Sequence, residues 1–182
     1  MTGQLTLRRA LFGGAAAAAA MVVLLPQGAQ AGGMDLIEVR PYERVVINDD
    51  FVMGLLPEGD QNYVVSSPEY FDEDIQAAKH YPGSDIRPNS VGAGVYGEDG
   101  EITLIEGVWR LDEGVPFIAV TPEGEEWGYA AQPVALKNED GWGTFYFDPA
   151  QWEEIDGVDT YTITATDRDG EVFSEFEVSL GR

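Results

Sequence analysis

Two carboxylates, Asp167 and Asp169, stand just before Gly170 and Glu171. Acids at alternate positions ahead of a glycine are the raw material of a calcium loop, because hard cations take carboxylate oxygens and the glycine allows a sharp turn. A helix–loop–helix calcium loop wants ligands at its first, third and fifth positions, glycine at the sixth and glutamate at the twelfth. With Gly170 as the sixth, Asp167 and Asp169 fall third and fifth, but Ala165 stands first and Phe176 twelfth. The same alignment puts Val95 first for Gly100 and Leu136 first for Gly141. The flanks of Gly170, TYTITAT and EVFSEFEVSL, alternate as strands do, and Asp-Gly between strands marks a hairpin turn. The stretch therefore reads as a turn. A looser calcium site, joining Asp167 and Asp169 to acids of a neighbouring loop, is the alternative, and apart from calcium no cofactor is expected.

Other chemistry finds few residues to work with. His80 is the one histidine. It falls near the end of an expected helix, where a cation suits the dipole. No Gly-x-Ser-x-Gly elbow, His-Glu-x-x-His pair, Gly-x-Gly-x-x-Gly turn or P-loop occurs. A glycoside hydrolase needs only two carboxylates, but with 33 acids in the chain no pair stands out. No catalytic residue is assigned. The second half is crowded with aromatic residues: Trp127, Tyr129, Trp142, Phe145, Tyr146 and Trp152. Buried, they are core; exposed, they would stack on sugar rings. Trp142, between two glycines at a turn edge, is the ring expected to be exposed and to serve as a ligand-stacking residue.

The charge balance bounds the partners. Ten basic residues against 33 acids leave a formal charge of −23. Such a field repels phosphates, so nucleic acid is excluded as a partner and anionic membrane surfaces are disfavoured. Disorder, a salt-adapted surface and divalent-cation binding all fit an acidic chain, but four tryptophans and many Tyr, Phe, Val and Ile supply a core. There is no cysteine, so disulfides, iron–sulfur clusters and thiolate metal sites are excluded.

The N-terminus carries an address. Arg8 and Arg9 precede an apolar, Ala- and Gly-rich run from Ala10 to Leu25, then Pro26 and the small-residue site Ala29-Gln30-Ala31. This is the layout of a secretory signal. Its core of about sixteen residues is short for a membrane span of ~20. We read 1–31 as a signal peptide, 32–90 as an N-terminal extension with a short helix that packs on the main domain, and 91–182 as that domain. Arg8-Arg9 followed by Ala10, Leu11 and Phe12 resembles the twin-arginine export signal, which implies a bacterial or archaeal protein folded before export; a general secretory signal is the alternative. The mature chain is expected to be periplasmic or extracellular and free of membrane once the signal is cleaved.

Strand patterns dominate the chain beyond the leader. DLIEV (35–39), RVVI (44–47) and NYVVSS (62–67) are short and β-rich. One helix is expected after them, capped by Ser67 with Pro68 in its first turn and Phe71, Ile75 and Ala78 as its apolar stripe. From Val91 onward hairpins repeat. VGAGVY and EITLI flank Gly97 to Gly100, VWRL and PFIAV flank Asp112 to Gly114, and EWGYA comes after Gly124. VALK and GTFYF flank Asn138 to Gly141, and the last pair flanks Asp167 to Gly170. In that pair Tyr161, Ile163 and Ala165 share one face, and Val172, Ser174, Phe176, Val178 and Leu180 share another. Turns at this spacing indicate an all-β fold with one short N-terminal helix.

The segment IDGVDTYTITATDRDG (155–170) resembles the E–F corner, F strand and F–G turn of bacterial immunoglobulin-like and fibronectin-like modules. The resemblance implies an immunoglobulin-like antiparallel β-sandwich. It also implies that Tyr161 follows a glycine-containing corner and bonds back to the backbone. Together these features describe a secreted, acidic, non-enzymatic binding module for a protein or glycan. The alternatives are a cation-binding accessory subunit of an exported enzyme, or a small secreted hydrolase using paired carboxylates.

Overall fold

The computed structural model describes residues 35–152, 155 and 157–180. The signal expected at 1–31 lies outside these residues. Four short strands come first: β1 (Ile37–Val39), β2 (Val45–Val46), β3 (Val52–Leu56) and β4 (Asn62–Ser66). The helix α1 (Phe71–Ala78) comes next. Then come β5 (Ser90–Glu98), β6 (Glu101–Arg110), β7 (Phe117–Pro122) and β8 (Tyr129–Ala130). The last four are β9 (Gln132–Leu136), β10 (Trp142–Phe147), β11 (Thr160–Thr166) and β12 (Val172–Ser179). A single 3-10 turn, Pro149–Gln151, links β10 to β11. The chain is thus mainly β with one short α-helix among the described residues, and none of these residues forms a helix long and apolar enough to cross a membrane.

The strands make three sheets stacked in layers. The central sheet has the order β1-β9-β10-β6-β5, with β1 parallel to β9 and the rest antiparallel. One face packs on the sheet β12-β11-β7-β8, through Ile105, Trp109, Phe145, Val120 and Ile163. The other face packs on the sheet β2-β3-β4, through Val39, Leu104, Val134, Met53 and Leu55. Helix α1 closes the far side of that small sheet, with Phe71, Ile75 and Ala78 on Val52 and Leu56. Apolar faces must be buried against another element, and here both faces of the central sheet and of β3 are covered.

Three expectations change. EITLI and VWRL belong to one ten-residue strand, β6, and the turn at Asp112 to Gly114 carries the chain across to the other sheet instead of closing a hairpin. Both faces of β6 are buried, so it shows no polar alternation to mark its course. Strand β3, VMGLL, is an addition to the expected elements, for the same reason: all five of its residues are buried. The helix starts at Phe71 instead of next to Ser67. The Ser67 carbonyl accepts the Tyr70 N–H in a turn, and the Ser66 hydroxyl donates to Asp74. The later start lets the Phe71 ring lie over Gly54 in β3.

Glycine and aromatic residues alternate across the central sheet. Trp109 stands opposite Gly143, and Phe145 opposite Gly107. A Cβ on Gly143 would lie 2.4 Å from the Trp109 ring, and one on Gly107 would lie 2.4 Å from Phe145. Each large ring therefore spreads over a missing side chain, and both are fully or nearly fully buried.

In the last hairpin, Tyr161 pairs with Val178 and Ile163 with Phe176, on the core side. A register shift beyond Ala165 moves the turn-proximal end. Val172 pairs with Thr166 and is 52% exposed, while Phe173 packs against the core. The expected placement of Val172 on the apolar face is corrected by this bulge.

Candidate binding cleft

A cleft of about 280 Å³ with mixed polar and apolar lining opens among the described residues. Four separate segments enclose it. Asn48 to Phe51 come from the turn between β2 and β3, and Glu101 to Thr103 from the start of β6. Asp148 to Ala150 come from the 3-10 turn, and the corner at Gly157 and Val158 leads on to Tyr161.

Each wall has a local cause. The Asn48 side-chain oxygen accepts the backbone N–H of Asp50 at 3.0 Å and of Phe51 at 2.9 Å, which closes a tight turn. Asp148 is the N-cap of the 3-10 turn, accepting the Ala150 N–H at 3.1 Å, and Pro149 suits the position after it. The same carboxylate accepts from the Asn48 side-chain amide at 3.1 Å and from Gln151 at 3.3 Å. Asp148 is only 5% exposed, so these three neutral donors offset the cost of burying it. The Asn48–Asp148 bond spans a hundred residues and ties the N-terminal layer to the sandwich at the edge of the cleft.

Tyr161 is 1% exposed and lines the cleft. Among the described residues its hydroxyl has no hydrogen-bond partner, whereas the resemblance implied a bond back to the backbone. Burial first, then the Glu101 carboxylate and Tyr129, push this hydroxyl up to about 12. Burial and then Asp148 raise Tyr146 as well. A row of rings leads from Tyr161 outward: Phe147 at 6.2 Å, Tyr129 at 6.1 Å from Phe147, and Trp152 at 4.7 Å from Tyr129.

The residues singled out in the sequence fall elsewhere. Asp167 holds its own turn, its carboxylate accepting the N–H groups of Asp169 and Glu171 at 2.9 Å each. Asp169 is exposed beside Arg168, at 4.0 Å. No three acidic or histidine side chains converge as a metal site among the described residues. Trp142 is half-buried against the N-terminal layer, and its indole N–H donates to Glu139 at 3.2 Å. The exposed indoles among the described residues are Trp127, at 62%, and Trp152, at 36%. Trp142 faces away from the sandwich core yet is still covered, because the central sheet has a layer on that side too. His80 is exposed just after α1.

Compared with family models, with curated proteins and with solved structures, the chain matches none. Asn48, Glu101, Asp148 and Tyr161 do not stand out together in the sequence. Asp148-Pro149, an N-cap followed by a helix-starting proline, is the one local signal pointing to this corner.

Proposed function

We propose that the chain is an exported, acidic, non-enzymatic binding module, and that the cleft beside Tyr161 receives a group from a positively charged partner. The observation that carries this reading is the lining itself. Asp50 and Glu101 border the cleft while Asp148 is fully engaged in holding its walls, so the acids there split into holders and free acceptors. A formal charge of −23 adds long-range attraction for a basic partner. The leader-like first 31 residues support export to the periplasm or the exterior. The strand order supports an immunoglobulin-like sandwich. β5-β6-β10-β9 against β12-β11-β7-β8 matches the ABED and GFC order of the constant-type arrangement, with β8 added at the edge.

Isothermal titration with a basic peptide, its acidic counterpart and a neutral oligosaccharide tests the reading. The basic peptide is expected to bind, and to bind less tightly as salt rises, because screening shortens the reach of the field. A protein that ignores the basic peptide sinks the proposal. The hydrolase reading rests on the same cleft, since Asp50, Glu101 and Asp148 all line it. Turnover of glycoside substrates, lost in Glu101→Gln, would favour that alternative.

A further inference from the structure

We propose that the cleft is a socket for a single arginine side chain of a partner protein, with the Tyr161 hydroxyl and the carboxylates of Glu101 and Asp50 as its acceptors. The inference rests on the binding-module reading and names the partner's chemistry.

Three observations carry it. The first is Tyr161: a side chain 1% exposed, lining a cavity, with no partner for its hydroxyl among the described residues. A hydroxyl with unused hydrogen-bonding capacity on a cavity wall is available to a ligand, so the residue marks where a polar group would sit. The second is charge. Neither Asp50 nor Glu101 takes part in an ion pair among the described residues. The other acid of the lining, Asp148, has its oxygens committed to Asn48, Ala150 and Gln151. The charged groups left to meet a ligand, Asp50 and Glu101, are acceptors, while the Tyr161 and Thr103 hydroxyls can serve either way.

The third is size and lining. About 280 Å³ lies just under the ~300–1,000 Å³ of sites for free small molecules. It suits one long side chain. Phe51, Ile102, Pro149 and Val158 supply apolar wall for methylene groups, and the acceptors stand at Glu101, Asp50 and Tyr161. A long apolar stem with a charged tip matches that division. Guanidinium fits better than ammonium because its five N–H groups form a planar fork that can serve several acceptors at once. A divalent cation fits less well, because no three metal-ligating side chains converge among the described residues. A sugar ring fits less well too, because neither exposed indole, Trp127 or Trp152, is part of the lining.

The experiment uses the mature protein with N-acetyl-arginine amide as probe and the citrulline and lysine amides as controls. Citrulline keeps the shape of arginine and removes the charge. Backbone amide shifts are followed by NMR in wild type, Tyr161→Phe and Glu101→Gln. The arginine probe is expected to shift residues 48–51, 101–103 and 157–161, with a Kd of about 1 mM, roughly tenfold tighter than the citrulline probe. Each variant should weaken the arginine probe by about tenfold while the melting temperature stays at or above wild type. Tyr161→Phe removes only an unpaired hydroxyl, and Glu101 is exposed, so neither variant threatens the fold. Shifts elsewhere on the surface, equal binding of citrulline, or variants that bind as wild type would overturn the socket. If a basic peptide still binds in those cases, the binding-module reading stands without the socket. If it does not, both fall.

Discussion

Strands β3 and β12 meet opposite environments in the same fold. β3 lies between the helix and the central sheet, and its five residues are all buried. β12 is the edge of the outer sheet, and none of its residues is fully buried. Both are hydrogen-bonded ribbons, but only β12 carries a two-residue rhythm, since only β12 has a wet face and a dry one. Alternation reports a difference between two environments. Where both sides are dry, a strand becomes a short apolar run that periodicity cannot distinguish from a loop's apolar patch or a helix fragment.

The largest effect should come from the strand that is hardest to read. Leu55 is 0% exposed and points between the small sheet and the central one. Leu55→Ala is expected to cost about 2–5 kcal/mol, measured by chemical denaturation. Because β1 is built into the central sheet beside β9, the loss should shift one transition as a whole. Two separate transitions would mean that the N-terminal layer melts alone, and the comparison would then be between two domains.

Gly54→Ala should come next. A Cβ there would lie 2.6 Å from the tip of the Phe71 ring and 3.0 Å from Ile75. Those are side-chain ends, so the helix can yield, at an expected cost of about 1–3 kcal/mol from overpacking. The pairing of small residue and ring is what holds α1 flat on β3. If the substitution proves neutral, the helix is packed more loosely than the strand beneath it.

Strand β11 combines the two environments and gives a pH test. Its dry face begins at Tyr161, whose hydroxyl is raised to about 12 by burial, Glu101 and Tyr129. The unfolded chain releases this proton near the ordinary value of about 10, before the folded chain does. Stability tied to the neutral hydroxyl is therefore complete below pH 10 and declines as pH rises from about 10 to about 12. Thermal melts across that window should fall less steeply in Tyr161→Phe than in wild type. Equal slopes would mean that Tyr161 titrates freely.

Legibility in the sequence obeys the same physics. TYTITAT marks β11 with its observed bounds, Thr160–Thr166, because Thr and apolar residues alternate strictly. Phe71, Ile75 and Ala78 form the expected helix stripe and are the helix's buried residues. β6 reads as two strands because Gly107 interrupts a strand dry on both sides; the glycine makes room for Phe145. Trp142 reads as exposed because the layer that covers it is formed far away in sequence. The cleft is invisible for a similar reason. Asn48 and Asp148 meet across a hundred residues, and neither has a local pattern that names the other.

The smallest effect should fall on Val172. Strict alternation from Phe176 and Val178 would put Val172 on the dry face with Ser174. The register shift after Ala165 moves it to the wet face, opposite Thr166, at 52% exposure. Phe173 takes the inward place against the core. Val172→Thr keeps the branched shape that strands favour and adds a hydroxyl where solvent can reach it. The change should stay within about 0.5 kcal/mol, as for surface substitutions in general. On a dry face the same hydroxyl would need a partner, and the loss would be on the order of 1–3 kcal/mol. Denaturation midpoints separate these outcomes. A large loss at Val172 would mean that the bulge is absent in solution and that the plain two-residue rhythm runs to the end of the strand.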